Sequence, residues 1–469
     1  MDLERLVTAL GPLEVRGGAP TDVTDLAYDT RSVVPGALYF CVPGQRADGH
    51  DFAAEAVERG AAALVVERPL EQRVPQVVVP SARDAMAVAA DEFFERPTEE
   101  LVVAGVTGTN GKTTTVCLLY SILEAAGMKP GLIGTIESRV GGESRPAVRT
   151  TPEAIDLQRT FRQMLDAGNR SCAMEATSHG SELGRLDRVR FDALAFTNLS
   201  QDHLDFHGSM DRYFAAKRRL FTEHEPAPAA AVNVTNEWGR TLAEELRRLD
   251  RAPVLTFGPV PDAELSSHPA LERSRLAGSF NVENVLAAAA VSRLIGVPDD
   301  AVVAGVAEVP GVPGRFESID EGQPFAVIVD YSHKPGALEA VLRTARELTE
   351  GRLICVFGAG GDRDRGKRPM MGRVASELAD VTIVTSDNPR SEDPRAIMDE
   401  ILTGVVGPVE VEVERRPAIE RALALARDGD VVVIAGRGAE QCQDFADRKI
   451  PFDDREVARE ALRRLGAPA

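Results

Sequence analysis

"GVTGTNGKTTT", residues 105–115, stands between the apolar run "LVVAGV" and the amphipathic stretch "VCLLYSILEAAG". Small residues in such a turn let backbone N–H groups face a phosphate, and the N-terminus of the following helix favours negative charge. The common phosphate-loop pattern places a glycine, four residues, and then Gly-Lys-Ser/Thr. Gly111-Lys112-Thr113 fits, but Val106 holds the earlier place and glycines fall at 105 and 108, so the loop is a variant. Gly108, Thr109, Asn110, Gly111 and Thr114 are expected around the phosphates, with Lys112 bridging the terminal ones and the Thr113 hydroxyl on Mg²⁺. The plain alternative is a glycine turn that binds nothing. The strand-loop-helix context, closed by Gly127 as C-cap, favours a nucleoside triphosphate.

Outward from the loop, "GLIGTI", "SCAMEAT" and "ALAFTNL" are short apolar runs separated by helical stretches, which implies βαβ units and a mostly parallel sheet. Before it, "ALYFCVPG", "FAAEAVERGAAALVV" and "QVVV" read as strand, helix-strand and strand, a small α/β unit ended by the polar linker "ERPTEE". After "VPGVPGRFE", the runs "AVIVDYS", "LICVFGAGG", "DVTIVTSDNPR" and "DVVVIAGRG" are strands, each delivering a glycine- or charge-rich loop where open parallel sheets bind ligands. The fold class is therefore α/β in three domains, over 1–97, 98–310 and 311–469, the last Rossmann-like. Only the final "GAPA" is expected to be a free tail.

A net charge of −19 argues against a nucleic-acid partner, while local basic sites still allow an anionic small substrate. The five cysteines are far apart and never in CxxC spacing, so they are expected to be reduced and mostly buried. "MDLERLVTAL" lacks the basic region and long apolar core of a signal peptide, and no apolar run approaches the ~20 residues of a membrane span. A cytoplasmic protein without membrane insertion is expected.

A phosphate loop alone does not separate GTPase, kinase and ligase. No guanine-reading NKxD motif occurs. Glu175 ends the strand "SCAME" and Asp202-His203 follow "ALAFTNLS", so oxygen and imidazole at neighbouring strand ends can complete a divalent-ion site. Read from the residues alone, Lys217 in "YFAAKRRLF" is a solvated helix lysine.

"GVTGTNGKTTT", "EATSHGSELGR", "FTNLSQDHLDFHGSMDRYFAAKRRLF", "GSFNVENVLAA", "VPGRFE" and "VIVDYSHKPGALEAVL", in that order, resemble the Mur ligase family. "GGDRDRGKRPMMG" and "TSDNPRSEDPR" resemble the members that add the third peptide residue to UDP-N-acetylmuramoyl-L-alanyl-D-glutamate, and "YDTRSVVPGALYFCVPGQRADGHDF" is similar to their UDP-binding N-terminal domain. The resemblance implies a cytoplasmic, monomeric enzyme of peptidoglycan precursor synthesis that phosphorylates the substrate carboxylate with ATP and then joins an amine.

By the same resemblance Lys217 is carbamylated and, with Glu175 and His203, holds the metal; Lys112, Lys217 and His203 are the catalytic set. Asn281 contacts adenine, and Arg315, Asp330 and His333 hold the nucleotide from the third domain. Ser32 and the turn Gly44, Gln45 and Arg46 belong to the uridine site, while Thr150, Thr151, Thr177 and Arg185 contact the muramoyl-dipeptide. The incoming amino acid meets Asp387, Asn388, Pro389 and Arg390, with Arg363, Gly436 and Glu440. Members with this arginine take meso-diaminopimelate, whose extra carboxylate suits a planar guanidinium; the alternatives are lysine or another diamino acid, or a nucleotide-binding relic of the fold. For Arg390 the plain reading is a surface ion pair with Glu392 or Asp393.

The pattern breaks in four places. Leu183 stands for a substrate-contacting glutamine, Lys334 for a small polar residue, and Ala439 for a histidine. Between Gly258 and "GSFN" only "PVPDAELSSHPALERSRLA" remains, so a pair of strands is expected to be missing or rebuilt.

Overall fold

The computed structural model describes residues 1–17, 22–44 and 47–466; Gln45, Arg46 and the tail beyond Gly466 lie outside them. The central sheet runs in the order Val254–Phe257, Ala229–Asn233, Ala193–Phe196, Val102–Thr107, Ser171–Glu175, Pro130–Ile133, Glu137–Val140, Glu143–Pro146. Its first six strands are parallel and the last two antiparallel. The strand that feeds the phosphate loop sits in the middle, which is why its residues read as an unbroken apolar run. Ala104 and Val106 pack on one face with the helices Lys112–Ala125 and Ser279–Leu294, and Val103 on the other with Ala154–Asp166 and Met210–Thr222.

The N-terminal sheet, Glu14–Arg16, Gln76–Val78, Ala63–Val66, Ala37–Phe40, Asp25–Ala27, is parallel except at Glu14–Arg16. The C-terminal sheet, Glu317–Ser318, Ala326–Asp330, Val431–Ala435, Leu353–Phe357, Val381–Val384, Glu410–Val411, is parallel except at its first strand. "ERPTEE" is tied down rather than loose: it forms one 3₁₀ turn, Pro97–Glu99, whose Thr98 hydroxyl accepts from the Arg190 amide. The segment after Phe257 is packed loop. Residues 258–278 hold a single bridge, Phe257 to Leu265, and a 3₁₀ turn at Pro269–Arg273, with Leu265 and Ala270 buried in the central core.

All five cysteines are free, Cys41, Cys172 and Cys355 being buried, Cys117 half-buried and Cys442 exposed. Among the described residues no helix is long and apolar enough to cross a membrane.

Candidate active site

The phosphate loop has glycine where only glycine fits. Gly108 has φ +148°, and a Cβ there would lie 1.9 Å from Thr197 Oγ1; Gly111 has φ +84°, and its Cβ would lie 2.2 Å from Asn284 Oδ1. Asn198 shapes the loop by accepting from the amides of Thr109 and Asn110, both at 2.9 Å. The helix that follows begins at Lys112, so its first amides have no intrahelical partner and point at the space where an anion would sit.

Amines crowd this loop. Lys112 Nζ donates to the carbonyls of Gly108 and Thr109, each at 3.0 Å. Lys217 Nζ donates to the Gly108 carbonyl at 2.8 Å and lies 4.6 Å from the Tyr213 ring centre. At 1% exposed, Lys217 is buried, which overturns the solvated-helix reading of the residues alone. Burial, with Lys112 and Lys334 adding repulsion, holds its amine well below the usual lysine range. Burial and Lys334 bring Lys112 down to about 8.

Beside them, Thr113 Oγ1 donates to Glu175 Oε1 at 3.0 Å, and the Thr135 amide donates to the same oxygen at 2.8 Å. The other carboxylate oxygen of Glu175 is buried without a hydrogen-bond partner. His203, at φ +52° in the left-handed region that few non-glycine residues adopt, sits 2.9 Å from Asp202 Oδ2. Burial lowers the His203 imidazole, leaving it neutral and able to ligate. Asp202, which the residues alone offered as a metal oxygen, is taken instead by Lys334 at 2.7 Å; burial opposes its ionisation, yet Lys334 and His203 hold its carboxyl well below the usual range. The orphaned Glu175 carboxylate oxygen and the Thr113 hydroxyl are hard oxygen donors of the kind Mg²⁺ takes, and the His203 imidazole lines the same cavity.

Lys112, Thr113, Thr135, Glu175 and His203 line one cavity of about 400 Å³ that also takes in Thr150, Thr177, Arg315, Asp330, His333 and Lys334. Arg315 crosses from the C-terminal unit to donate to Thr113 Oγ1 at 3.1 Å, its guanidinium over the Tyr331 ring at 4.2 Å. Asp330 accepts from the Phe316 amide at 2.7 Å and from Ser332. His333 Nδ1 lies 2.8 Å from the Tyr331 carbonyl, and burial, aided by Lys367 and Lys334, keeps it neutral. Asn281 lies behind the cavity: its amide nitrogen donates to the Ala277 carbonyl and its oxygen accepts from Asn284, which does line the wall. Asn284, Phe280, Glu283 and Asn233 were missed in the sequence; the i,i+3 spacing of the two asparagines in "NVEN" was the available signal for the first.

The dipeptide candidates are knit together. Thr151 Oγ1 donates to the Glu175 carbonyl at 2.9 Å, Thr177 Oγ1 donates to Thr151 Oγ1 at 2.9 Å, and Thr150 meets Thr135 at 3.1 Å. Arg185 donates to the Thr151 carbonyl and is paired with Glu153 at 2.7 Å, where Arg83 and Arg149 also converge. Leu183 follows the short helix Ser178–Glu182 as its C-cap. Ser32 and Gly44 follow two paired parallel strands, so they leave the same edge of the N-terminal sheet; Ser32 Oγ donates to the Asp29 carbonyl.

In the C-terminal unit the loops after Leu353–Phe357, Val381–Val384 and Val431–Ala435 converge at one sheet edge. Asn388 donates to Glu440 Oε2 and accepts from Arg437, both at 2.6 Å. Asp387 Oδ2 is buried without a partner, and a Cβ at Gly436 would come within 2.5 Å of it. Burial and Asp387 raise the Glu440 carboxyl. Arg390, at φ +51°, donates to the Gly361 carbonyl at 2.7 Å, and its nearest acid is Asp444 at 3.9 Å. The partners offered by the surface-pair reading are engaged elsewhere: Glu392 with Arg368 at 2.8 Å, and Asp393 with the Arg395 amide. Arg363 lies near Arg390; burial and that neighbour lower its guanidinium. Pro389 turns the chain there, its carbonyl accepting from the Glu392 amide. Ala439 abuts Gly314, where a Cβ would come within 2.1 Å of the Ala439 amide.

Three stretches match described families: residues 22–95 the Mur ligase family, catalytic domain; 106–292 the Mur ligase middle domain; and 314–438 the Mur ligase, glutamate ligase domain. The chain is 46% identical over 474 residues to a UDP-N-acetylmuramoyl-L-alanyl-D-glutamate--2,6-diaminopimelate ligase of Solibacter usitatus, covering 96% of this chain and 95% of the relative. It is 44% identical over 492 residues to a protein of the same name from Geobacillus kaustophilus, covering 99% and 100%. That alignment is longer than the 469-residue chain, so the relative carries residues that this chain lacks. A solved structure of a ligase of that name superposes with a TM-score of 0.64 at 30% identity, over 95% of this chain and 96% of that one. MurF from Acinetobacter baumannii, at 20% identity over 92% and 95%, gives 0.66, a likeness of fold.

Proposed function

The chain belongs to the Mur ligase family, and from that premise we propose how its cavity joins an amino acid to a nucleotide-linked peptide. The chain is an ATP-dependent ligase that adds 2,6-diaminopimelate to UDP-N-acetylmuramoyl-L-alanyl-D-glutamate in peptidoglycan synthesis. The observation that carries the assignment of its residues is the single cavity in which the phosphate loop, Glu175, His203, Arg315 and Thr177 meet.

ATP lies with its phosphates on the Lys112–Thr114 helix start, and Lys112 neutralises the terminal ones. A carboxylate oxygen of the dipeptide forms a bond to the γ-phosphorus as the bond to the bridging oxygen breaks, and ADP leaves with the electron pair. The incoming amine then attacks the acyl carbon, phosphate leaves with the C–O electron pair, and the amine loses a proton. Thr113, Glu175, His203 and Lys217 hold Mg²⁺, which supplies charge stabilisation to the transferring phosphoryl group when bound.

Lys217 is suited to that role only after reaction with carbon dioxide, which adds to the neutral amine and releases one proton, turning a donor into a carboxylate-like acceptor. Its burial supports this reading, because only an unprotonated amine has the lone pair. The carbamate is read by ¹³C NMR with labelled bicarbonate, in which Lys217→Arg is expected to lose the signal; a signal that survives would rule Lys217 out.

The amino-acid end is built for a zwitterion with an extra acid. Asp387 and Glu440 face an ammonium, while Arg390 and Arg363 crowd each other with no carboxylate in hydrogen-bond reach. A carboxylate between them relieves the repulsion and can take a bidentate grip. Ser32 and the Gly44 turn, at one sheet edge, are the proposed uridine contacts. The test is phosphate release with ATP and Mg²⁺: turnover is expected only when both the UDP-muramoyl-dipeptide and diaminopimelate are present. Hydrolysis without either would mark a plain ATPase, and no release a binding fold.

A further inference from the structure

Lys334 lies where the C-terminal unit meets the phosphate loop. It is the residue before the helix Pro335–Glu347 of the C-terminal unit, yet its ammonium reaches the central one, pairing with Asp202 at 2.7 Å and donating to the Thr109 carbonyl at 3.2 Å. Lys112 donates to that same carbonyl at 3.0 Å, so two lysines from different sheets share one oxygen of the phosphate loop. Both line the one cavity. Lys334 is buried, and the carboxylate that compensates it also serves His203. Two ammonium groups at one carbonyl repel each other, and burying them costs free energy that the nearby carboxylates of Asp202 and Glu175 offset only in part. A polyphosphate removes that surplus.

The direction of Lys334 is set by Asp202. The carboxylate oxygen that holds Lys334 also meets His203, which lines the same cavity as Lys112, Glu175 and Thr177. Sharing the Thr109 carbonyl with Lys112 sets Lys334 beside the loop that would hold a nucleotide's phosphates.

We propose that Lys334 is a second phosphate-binding ammonium of the nucleotide site, supplied by the C-terminal unit and directed at the terminal phosphate. With ATP bound it leaves the Thr109 carbonyl for a γ-phosphate oxygen and keeps Asp202, so that the C-terminal unit is drawn to the loop by ATP more than by ADP. It acts on the developing charge of phosphoryl transfer as a cation contributed from across a cleft does. The proposal rests on the ATP site described above and not on the identity of the acceptor.

The test is calorimetric binding of Mg-ADP and of a Mg-bound β,γ-methylene analogue of ATP to the full chain, without acceptor, for wild type, Lys334→Ala, Lys334→Met and Lys334→Arg. Circular dichroism checks the fold of each, and the methionine keeps the buried stem. The alanine and methionine variants are expected to lose about tenfold or more in affinity for the triphosphate analogue, the worth of one charged hydrogen bond, with ADP within about twofold of wild type. Arginine restores most of the difference, and kcat falls about a hundredfold in the alanine variant. Equal losses for both nucleotides would make Lys334 a structural tether, and no loss for either would remove it from the site; both outcomes overturn the proposal. Because no acceptor is present, a wrong amino-acid assignment leaves this result intact.

Discussion

Arg185 and Arg390 are both proposed to meet anionic parts of a substrate, but the protein has treated their charge in opposite ways. Arg185 is paired with Glu153 at 2.7 Å, both side chains under 10% exposed, inside a network that ties Thr151, Thr177 and the Glu175 backbone together. Arg390 has only a carbonyl in hydrogen-bond reach, lies against Arg363, and holds a left-handed backbone. A site already satisfied must exchange partners when its ligand arrives, so it contributes modestly to affinity. A site left with like charges facing each other is completed by the ligand, and a ligand lacking the right group leaves it unsatisfied. On the proposed assignment, discrimination among amino acids belongs to the C-terminal loops, and the dipeptide site positions its carboxylate.

The sharpest way to break this comparison is Arg390→Ala. It is expected to lower kcat/KM for diaminopimelate about a hundredfold, with KM for ATP unchanged, because a bidentate charged contact is lost. An equal rise in both KM values would mean that the loop had simply come apart. Arg390→Lys keeps the charge and loses the fork, so a drop of about tenfold is expected, and full activity would remove geometry from the explanation.

On the other side of the comparison, Glu153→Gln leaves Arg185 buried beside Arg83 and Arg149 with one acid fewer. Stability is expected to fall by about 2 kcal/mol. The UDP-muramoyl-dipeptide should then raise the melting temperature of the variant more than that of wild type, because it supplies the missing negative charge; an equal rise contradicts the pre-satisfied reading of this site.

The smallest effect is a proton. Lys112 is held down to about 8, against an ordinary value of 10.5, by burial and Lys334. In the free protein it is therefore charged below that pH and increasingly neutral above it, and phosphates favour the charged form. ATP binding at pH 9 should take up a proton and weaken as pH rises, read by calorimetry in two buffers of different ionisation enthalpy. The linkage to folding has the same root. The unfolded chain binds the extra proton between pH 8 and 10.5, so the burial penalty is fully present below 8 and vanishes as pH rises through that window. Proton release at pH 9 contradicts this account.

The elements that carry the site were legible because they are local. Strands such as Val102–Thr107 and Val431–Ala435 are short apolar runs ended by glycine, and their C-terminal ends carry the chemistry in a parallel sheet whatever the rest of the chain does. What escaped depends on partners distant in sequence. Lys217 lies in an amphipathic helix beside two arginines, and nothing nearby says that the Gly108 carbonyl and the Tyr213 ring will enclose it. Lys334 stood out only as an odd residue in a motif, since Asp202 comes from another sheet. The same holds for Arg368, Arg415 and Arg437, all fully buried and none singled out by composition or spacing. The segment after Phe257 was readable as a short polar stretch, but not as the 3₁₀ turn that packs Ala270 into the central core.

The most direct measurement is phosphate release from ATP with Mg²⁺ and UDP-N-acetylmuramoyl-L-alanyl-D-glutamate, with diaminopimelate and L-lysine in parallel, for wild type and Arg390→Ala. Release is expected with diaminopimelate, with little from lysine, and the preference should collapse in the variant. Equal release with both amino acids, or a preference that survives the loss of Arg390, would contradict the account.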